Sequence, residues 1–134
     1  MAGTDPRPDP RPDPRPDPRR VLGDAGEDLV ARWYADAGYR VLDRNWRCRD
    51  GELDVVAGRG RTLVFCEVKT RRSTAFGLPA EAVTFAKQRR LRTLAMRWLD
   101  AHPEARTRTL RFDVASVLAA RDASPVIDVI EGAF

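Results

Sequence analysis

Two short apolar segments, separated by a glycine-containing turn, constrain the fold of this chain more than any other feature. Residues 53–56 and 63–68 are typical of strands, and residues 58–61 between them, Gly-Arg-Gly-Arg, tolerate positive φ. The pattern predicts a β-hairpin. If its turn centres near Gly60, Asp54 lies opposite Glu67 on the neighbouring strand.

Side chains alternate between the two faces of a strand, so Glu67 and Lys69 share one face. The side chains at positions 64, 66 and 68 share the other face, which is apolar and expected to be buried. The hairpin therefore predicts that the polar groups of Asp54, Glu67 and Lys69 converge at one place.

Two carboxylates beside a lysine suit a metal-dependent phosphodiesterase. Mg²⁺ prefers oxygen ligands and commonly binds through one or two carboxylates plus substrate phosphate, a role for Asp54 and Glu67. Lys69 would orient the nucleophile or stabilise the transition state. The alternative is that all three are ordinary solvent-facing residues, with Lys69 in a salt bridge, because so short a pattern recurs by chance.

Four motifs in a fixed order give the chain a resemblance to a known family. They are Gly26-Glu27, Gly51-Glu52-Leu53-Asp54, Val64-Phe65-Cys66-Glu67-Val68-Lys69-Thr70-Arg71 and Lys87-Gln88-Arg89-Arg90-Leu91. Over about residues 22–131 the chain resembles the YraN-type family, whose pattern is similar to the PD-(D/E)xK nucleases. The resemblance implies a restriction-endonuclease-like core, related to archaeal Holliday-junction resolvases. It implies Asp54, Glu67 and Lys69 as catalytic residues and Glu27 as a helix-borne carboxylate, although Leu53 replaces the proline of the superfamily motif.

The element order predicts an α/β fold. Apolar spacing predicts helices over 24–37 and 84–101, and strands over 39–46, the hairpin, 108–118 and 126–130. The order αβββαββ predicts a mixed β-sheet flanked by helices. In the first helix Glu27 has a second interpretation, as part of a capping box with Asp24 at the N-cap. Asp113, in an apolar strand, is interpreted as a structural acid whose hydrogen-bond donors come from the backbone, without a catalytic role.

The chain divides into an extended arm, residues 1–20, and one endonuclease-like domain, residues 21–134. Residues 5–20 repeat Asp-Pro-Arg-Pro three times and end in Asp-Pro-Arg-Arg, so proline at every second position predicts a disordered, polyproline-II-like segment. The arm either binds a partner or is a low-complexity extension without fixed function. The four Asp and four Arg of residues 5–19 cancel, so the net charge of +4 belongs to the rest of the chain.

Several classes of protein are excluded by what the sequence lacks. It has no apolar run long enough to span a bilayer and no secretion signal, which predicts a cytoplasmic protein without membrane contact. Cys48 and Cys66 have no disulfide or zinc spacing, and Cys66 is expected in the core. The single histidine, His102, excludes mechanisms with paired histidines, such as those of phospholipase-D-like and HNH nucleases.

Basic residues flank the proposed site in the sequence, which favours phosphate backbones as partners. The resemblance adds Gln88, which matches a glutamine near the site of resolvase-like and RecB-like nucleases. The alternative is a solvated helix face. The predicted nucleic-acid-binding residues are Arg71, Arg72, Lys87, Gln88, Arg89, Arg90 and Arg92.

Together these observations predict a Mg²⁺- or Mn²⁺-dependent nuclease that cleaves DNA, with branched or damaged DNA as candidate substrates. One alternative is a nucleic-acid-binding module that keeps the fold and has lost turnover. Another is an interaction protein that acts through its arm. A homodimer is left open as the assembly.

Overall fold

The computed structural model describes residues 17–73 and 83–134. Within them, the element order is the predicted αβββαββ. Neither described helix is long and apolar enough to cross a membrane. A short 3-10 helix, Pro103–Ala105, follows the second α-helix. The elements are α1 (Pro18–Asp36), β1 (Arg40–Cys48), β2 (Gly51–Arg59), β3 (Thr62–Arg71), α2 (Phe85–Ala101), β4 (Thr109–Leu118) and β5 (Val126–Ile130).

The strands form one five-stranded mixed sheet in the order β1-β2-β3-β4-β5. β3 and β4 are parallel, and their pairing runs from Thr62 opposite Thr109 to Arg71 opposite Leu118. The other neighbouring pairs are antiparallel. Parallel neighbours need a crossover connection, and α2 lies in that connection. The mixed sheet flanked by helices confirms the predicted fold class.

The hairpin of β2 and β3 has the predicted register. Arg59 pairs with Thr62 across a two-residue loop, and Gly60 in that loop has a φ of +57°. Tight hairpin loops need such a φ, which glycine adopts at little cost. The pairing continues to Val55 opposite Cys66, so Asp54 and Glu67 are the next residues along the two strands.

Both faces of the sheet are buried, one under each helix. Val64 and Cys66 pack with Val30 and Tyr34 of α1, as the predicted apolar face requires. On the opposite face, Phe65 and other apolar residues pack against α2. The face that carries Glu67 and Lys69 is therefore polar only at the end of β3. The α2 side of the core includes Leu53, Val56, Leu63, Phe65, Leu91, Leu94, Trp98 and Phe112.

Helix α1 begins earlier than the sequence pattern predicts. Its first residue is Pro18, and the Asp17 carboxylate at the N-cap accepts a hydrogen bond from the Arg19 N–H at 2.9 Å. Proline is favoured in the first turn because its missing N–H has no intrahelical partner there and its φ already suits a helix. Residues 18–20, assigned to the arm, are thus helical, whereas residues 1–16 lie outside the described part. Glu27 lies in the middle of the helix, so its interpretation as part of a capping box with Asp24 is wrong.

Asp113 is the structural acid expected on β4, and it is 1% exposed. Its carboxylate accepts hydrogen bonds from the Tyr34 hydroxyl at 2.6 Å, from the Arg111 guanidinium twice at 2.9 Å and from the Gly132 N–H at 3.0 Å. Three of these four hydrogen bonds come from side chains and one from the backbone, so the expectation of backbone donors is wrong for most of them. The network links α1, β4 and the end of the chain.

Candidate functional site

The site begins where the β2–β3 pairing ends. Beyond the Val55–Cys66 pair, the Asp54 side chain takes the place of a backbone partner, because its Oδ2 accepts a hydrogen bond from the Val68 N–H at 2.9 Å. A carboxylate held by a backbone donor has a fixed position. Asp54 is half-buried at this place, where the pairing of β2 with β3 has ended. Its other carboxylate oxygen does not take part in the hydrogen bond with Val68.

Three carboxylates meet at this point. Glu27, Glu52 and Asp54 each place one carboxylate oxygen within 4.8 Å of the other two. Glu52 and Asp54 are two residues apart on β2, and Glu27 comes from α1. This grouping gives Glu27 the helix-borne position that the family resemblance implied, and it adds Glu52.

Gly26 allows α1 to approach the sheet closely enough to bring Glu27 there. A Cβ atom at position 26 would clash with Thr70 Oγ1 and lie 3.0 Å from Thr70 Cβ. Rotation of Thr70 could move the oxygen but not Cβ, so a side chain at position 26 would require α1 or β3 to shift. The glycine before Glu27 is therefore required by the packing of α1 on β3.

The acids raise one another's proton affinity. Burial, and next the negative charge of Glu67, raise the pKa of Asp54 to about 8. Burial also raises the pKa of Glu27, and a hydrogen bond with the Asn45 side chain opposes that shift. Glu27 Oε2 is buried and has no hydrogen-bond partner among the residues that the structure describes. A cation would stabilise this arrangement.

Glu67 and Lys69 lie next to the three carboxylates and pair with each other. Lys69 Nζ is 3.1 Å from Glu67 Oε1, and the two side chains are 25% and 16% exposed. Glu67 interacts electrostatically with Asp54, so the structure brings the predicted catalytic residues into one region. The group of three carboxylates does not include Glu67, and its role as a metal ligand stays a prediction.

The beginning of α2 faces the same region. Thr84 caps the helix, since its hydroxyl accepts a hydrogen bond from the Lys87 N–H at 3.3 Å. The positive charge of Lys69 is the main cause of a lowered pKa at Lys87, so these two ammonium groups are neighbours. Arg89 and Arg90 are exposed on the next turn. This end of α2 presents cationic groups beside the carboxylates.

The other predicted nucleic-acid-binding residues have varied surroundings. Arg71 is the last residue of β3, and Arg72 follows it, exposed. The Gln88 side-chain amide donates a hydrogen bond to the Val83 carbonyl at 3.3 Å. The Arg92 guanidinium lies over the rings of Phe112 and Phe134, 4.8 and 5.5 Å from their centroids. Gln88 and Arg92 thus have local packing roles, and nucleic-acid contacts for all four residues stay predictions.

A cleft of about 790 Å³ lies between α1 and the β1–β2 strands, and it extends the site on the side away from α2. The sequence patterns did not predict this cleft or most of its polar residues. Glu52 could have been found, because residues two apart on a strand share a face and Asp54 was already a candidate. The cleft is lined by Arg20, Gly23, Asp24, Glu27, Asp28, Arg44, Asn45, Arg47 and Glu52.

Two arginines of β1 are held in this cleft by acids. Arg44 Nη2 donates to Asp28 Oδ1 at 2.6 Å, and Arg47 Nε donates to Glu52 Oε2 at 3.1 Å. Asn45 between them has a φ of +51°, a conformation that asparagine tolerates better than most residues. The cleft therefore contains carboxylate and guanidinium groups side by side, so negative and positive charges lie a short distance apart.

The fold and this site define a small mixed α/β protein with a carboxylate-lined cleft at the edge of its β2–β3 hairpin. Residues 26–117 match the family described as "Uncharacterised protein family UPF0102", and the chain belongs to this family, the YraN-type family. The matched region contains the three carboxylates, Glu67, Lys69 and the start of α2.

Relatives match most of this chain over most of their own length. A "UPF0102 protein" of Nocardia farcinica is 50% identical over 116 residues, which cover 87% of this chain and 91% of the relative. One from Streptomyces griseus is 51% identical over 114 residues, covering 85% and 96%. One from Acidothermus cellulolyticus is 47% identical over 125 residues, covering 87% and 95%.

Proposed function

We propose that this protein is a cytoplasmic, metal-dependent nuclease that hydrolyses DNA phosphodiester bonds, with branched or damaged DNA as the candidate substrates. The observation that carries this proposal is the group of three carboxylates from Glu27, Glu52 and Asp54, next to the ammonium group of Lys69. The resemblance to PD-(D/E)xK nucleases, noted from the sequence motifs, supports the same chemistry.

The residues of the site fit a hard divalent cation such as Mg²⁺ or Mn²⁺. The donor set is carboxylate oxygen, which these ions prefer. Glu27 Oε2 is buried without a partner in the described part of the chain. Burial, and next the negative charge of Glu67, raise the pKa of Asp54 to about 8. Glu27, Glu52 and Asp54 would hold the ion, and Glu67 would be a further ligand. The ion would supply positive charge for the phosphodiester transition state and acidify a water nucleophile.

The chain's own residues would orient the other reactants. Lys69, held by Glu67 at 3.1 Å, would position the attacking water or stabilise charge that develops on the phosphate. Lys87, Arg89 and Arg90 at the start of α2 would bind neighbouring phosphates of the same DNA. Asp54 would stay fixed through its hydrogen bond from the Val68 N–H.

A catalytically silent DNA-binding module is the second candidate. It is favoured by the observation that Lys69 and one oxygen of Asp54 already have partners within the protein. Such a module would keep the cationic end of α2 and would bind DNA without cleaving it. A homodimer is compatible with either function.

The experiment that separates the two candidates is a cleavage assay on labelled duplex, flap, single-stranded and four-way-junction DNA, with Mg²⁺, Mn²⁺ or chelator. We expect metal-dependent cleavage by the wild-type protein. Lys69→Ala should abolish it while DNA binding changes only a few-fold, because the lysine acts at the transition state. Asp54→Asn should abolish it as well.

The matched control is Asp100→Asn, which neutralises an exposed carboxylate paired with Arg106 outside the site. Its cleavage rate should equal that of the wild type. DNA binding without cleavage of any substrate would establish the binding module. Full activity in Asp54→Asn would reject the proposed site.

A further inference from the structure

The cleft between α1 and β1 places arginines directly beside the proposed metal ligands. Arg20, Arg44 and Arg47 line the same cleft as Glu27 and Glu52. Helix α2 packs on the opposite face of the sheet, so the cationic end of α2 and these arginines approach the carboxylates from different sides. A phosphate chain that crosses the carboxylates would meet positive charge at both ends.

Arg44 has a buried hydrogen-bond donor that lacks a partner among the described residues. Its Nη2 donates to Asp28 at 2.6 Å, whereas its Nε is buried and has no partner in the described ranges 17–73 and 83–134. A buried donor without an acceptor costs free energy, and such groups in native structures call for a specific reason. An oxygen-rich ligand would supply the missing acceptor.

The ion pair with Asp28 positions the Arg44 side chain, and it can be broken at low cost. The Asp28 side chain is 68% exposed, and that of Arg44 is 34% exposed. An exposed carboxylate can exchange its partner with water or with another anion at low cost, because surface ion pairs contribute little to stability. Asp28 therefore holds the guanidinium at the cleft in the free protein and can be replaced there.

We propose that Arg44 binds a phosphate of the DNA strand next to the carboxylate site, in the position that Asp28 occupies in the free protein. This inference rests on the proposed function and specifies where the strand runs, between α1 and β1. Guanidinium groups suit this role because their fixed fork of donors matches phosphate oxygens. Arg47 on the same strand is already bonded to Glu52, and it stays a positioning residue for that carboxylate.

The test measures DNA binding by the full chain with Ca²⁺ in place of Mg²⁺, over a range of salt concentrations. Arg44→Gln should weaken binding about fivefold or more and reduce the slope of log affinity against log salt by roughly one, the loss of one phosphate contact. Arg106→Gln removes the same charge from an exposed pair with Asp100, at the end of the molecule beyond α2. It should leave the slope unchanged.

Asp28→Asn separates phosphate binding from a purely structural tie between α1 and β1. Both Arg44→Gln and Asp28→Asn break the same ion pair. If Arg44 binds phosphate, Asp28→Asn removes a competing anion and strengthens DNA binding. If the ion pair only stabilises the packing of α1 on β1, both variants weaken DNA binding to a similar extent, and the inference is overturned. It is also overturned if Arg44→Gln keeps the wild-type salt slope or if the wild type binds no DNA.

Arg44→Lys covers the case in which Arg44→Gln does not fold. Lysine keeps the positive charge and a pair with Asp28 but lacks the Nε donor, so binding should weaken while the salt slope stays close to that of the wild type. Unchanged affinity in Arg44→Lys would reject the contact through Nε. The measurement of binding does not require DNA cleavage. If the wild type cleaves DNA but Arg44→Gln binds it with unchanged affinity and salt slope, this inference fails and the proposed nuclease function does not. If Arg44→Gln reduces the salt slope but no cleavage is found, Arg44 contacts phosphate in a binding module.

Discussion

Two acids on strands of the same sheet differ in how the protein satisfies them. Asp113 on β4 is 1% exposed and accepts hydrogen bonds from Tyr34, Arg111 and Gly132. Asp54 on β2 accepts one from the Val68 N–H and lies beside other carboxylates. Burial, and next the negative charge of Glu67, raise its pKa to about 8. A buried acid with matched donors stabilises the fold, whereas one among like charges is typical of a functional site.

One helix serves both acids. Tyr34 of α1 donates to Asp113, and Glu27 of the same helix lies beside Asp54. The two residues are seven apart, two helical turns, so they project from the same face of α1. The position of α1 over the sheet therefore sets the geometry of the satisfied acid and of the unsatisfied one together.

The largest effect is expected for Asp113→Ala. Its loss leaves the buried Tyr34 hydroxyl and the Arg111 guanidinium without their acceptor, so the free energy of unfolding should fall by about 3–5 kcal/mol. Denaturant unfolding measures the change. Asp128→Ala, an exposed acid on β5, is the control and should change stability by less than about 0.5 kcal/mol. Equal effects of the two changes would show that the Asp113 network is not what stabilises the fold.

Asp54→Asn should stabilise the metal-free protein, in contrast to Asp113→Ala. At pH 7 the unfolded chain carries an ionised Asp54, so folding must take up a proton there, which costs free energy. Asparagine needs no proton, and its amide oxygen can still accept the Val68 N–H. We expect the free energy of unfolding at pH 7 to rise by about 1–3 kcal/mol. Saturating Mg²⁺ should stabilise the wild type and not the variant. If Asp54→Asn destabilises the metal-free protein, Asp54 stabilises the fold as Asp113 does.

The same difference predicts how stability depends on pH. The pKa of Asp54 is about 8 in the folded protein, against an ordinary value of 3.8 for aspartate. The folded state therefore holds a proton that the unfolded chain has lost between about pH 4 and pH 8. The contribution of Asp54 to stability is complete below pH 4 and is lost as the pH rises to 8. Unfolding of wild type and Asp54→Asn across this range should show their difference growing with pH.

Gly26→Ala should move α1 and disturb its contact with Asp54 more than its contact with Asp113. The new methyl group would clash with Thr70, at a cost of about 1–3 kcal/mol in unfolding free energy. Gly23→Ala is the control, since a Cβ there meets nothing within 4 Å and alanine favours the helix. Adding Thr70→Ala to Gly26→Ala should recover part of the loss. If Gly26→Ala is as stable as Gly23→Ala, the close approach of α1 to β3 does not exist in solution.

Local patterns predicted the hairpin and its register, because a two-residue loop at Gly60 fixes which residues face each other. They also placed the Asp54, Glu67 and Lys69 side chains in one region. The Arg44 cleft and the meeting of Glu27 with Glu52 depend on how α1 packs over β1 and β2, which is long-range packing. No local pattern contains that information. The start of α1 was misjudged because Pro18 continues a proline repeat, although proline is also a favoured first helical residue.

The smallest effect concerns the N-terminal arm, and it tests where the α1 side of the site begins. Deleting residues 1–16 removes a segment without apolar side chains to bury, apart from those of its first two residues, and should leave the melting temperature unchanged within about one degree. Deleting residues 1–19 also removes the Asp17 cap and Pro18 and should cost about 1 kcal/mol. Since Arg20 and Glu27 lie on α1, only the longer deletion should weaken metal and DNA binding. Equal loss of stability in both truncated proteins would mean that residues 1–16 contact the domain.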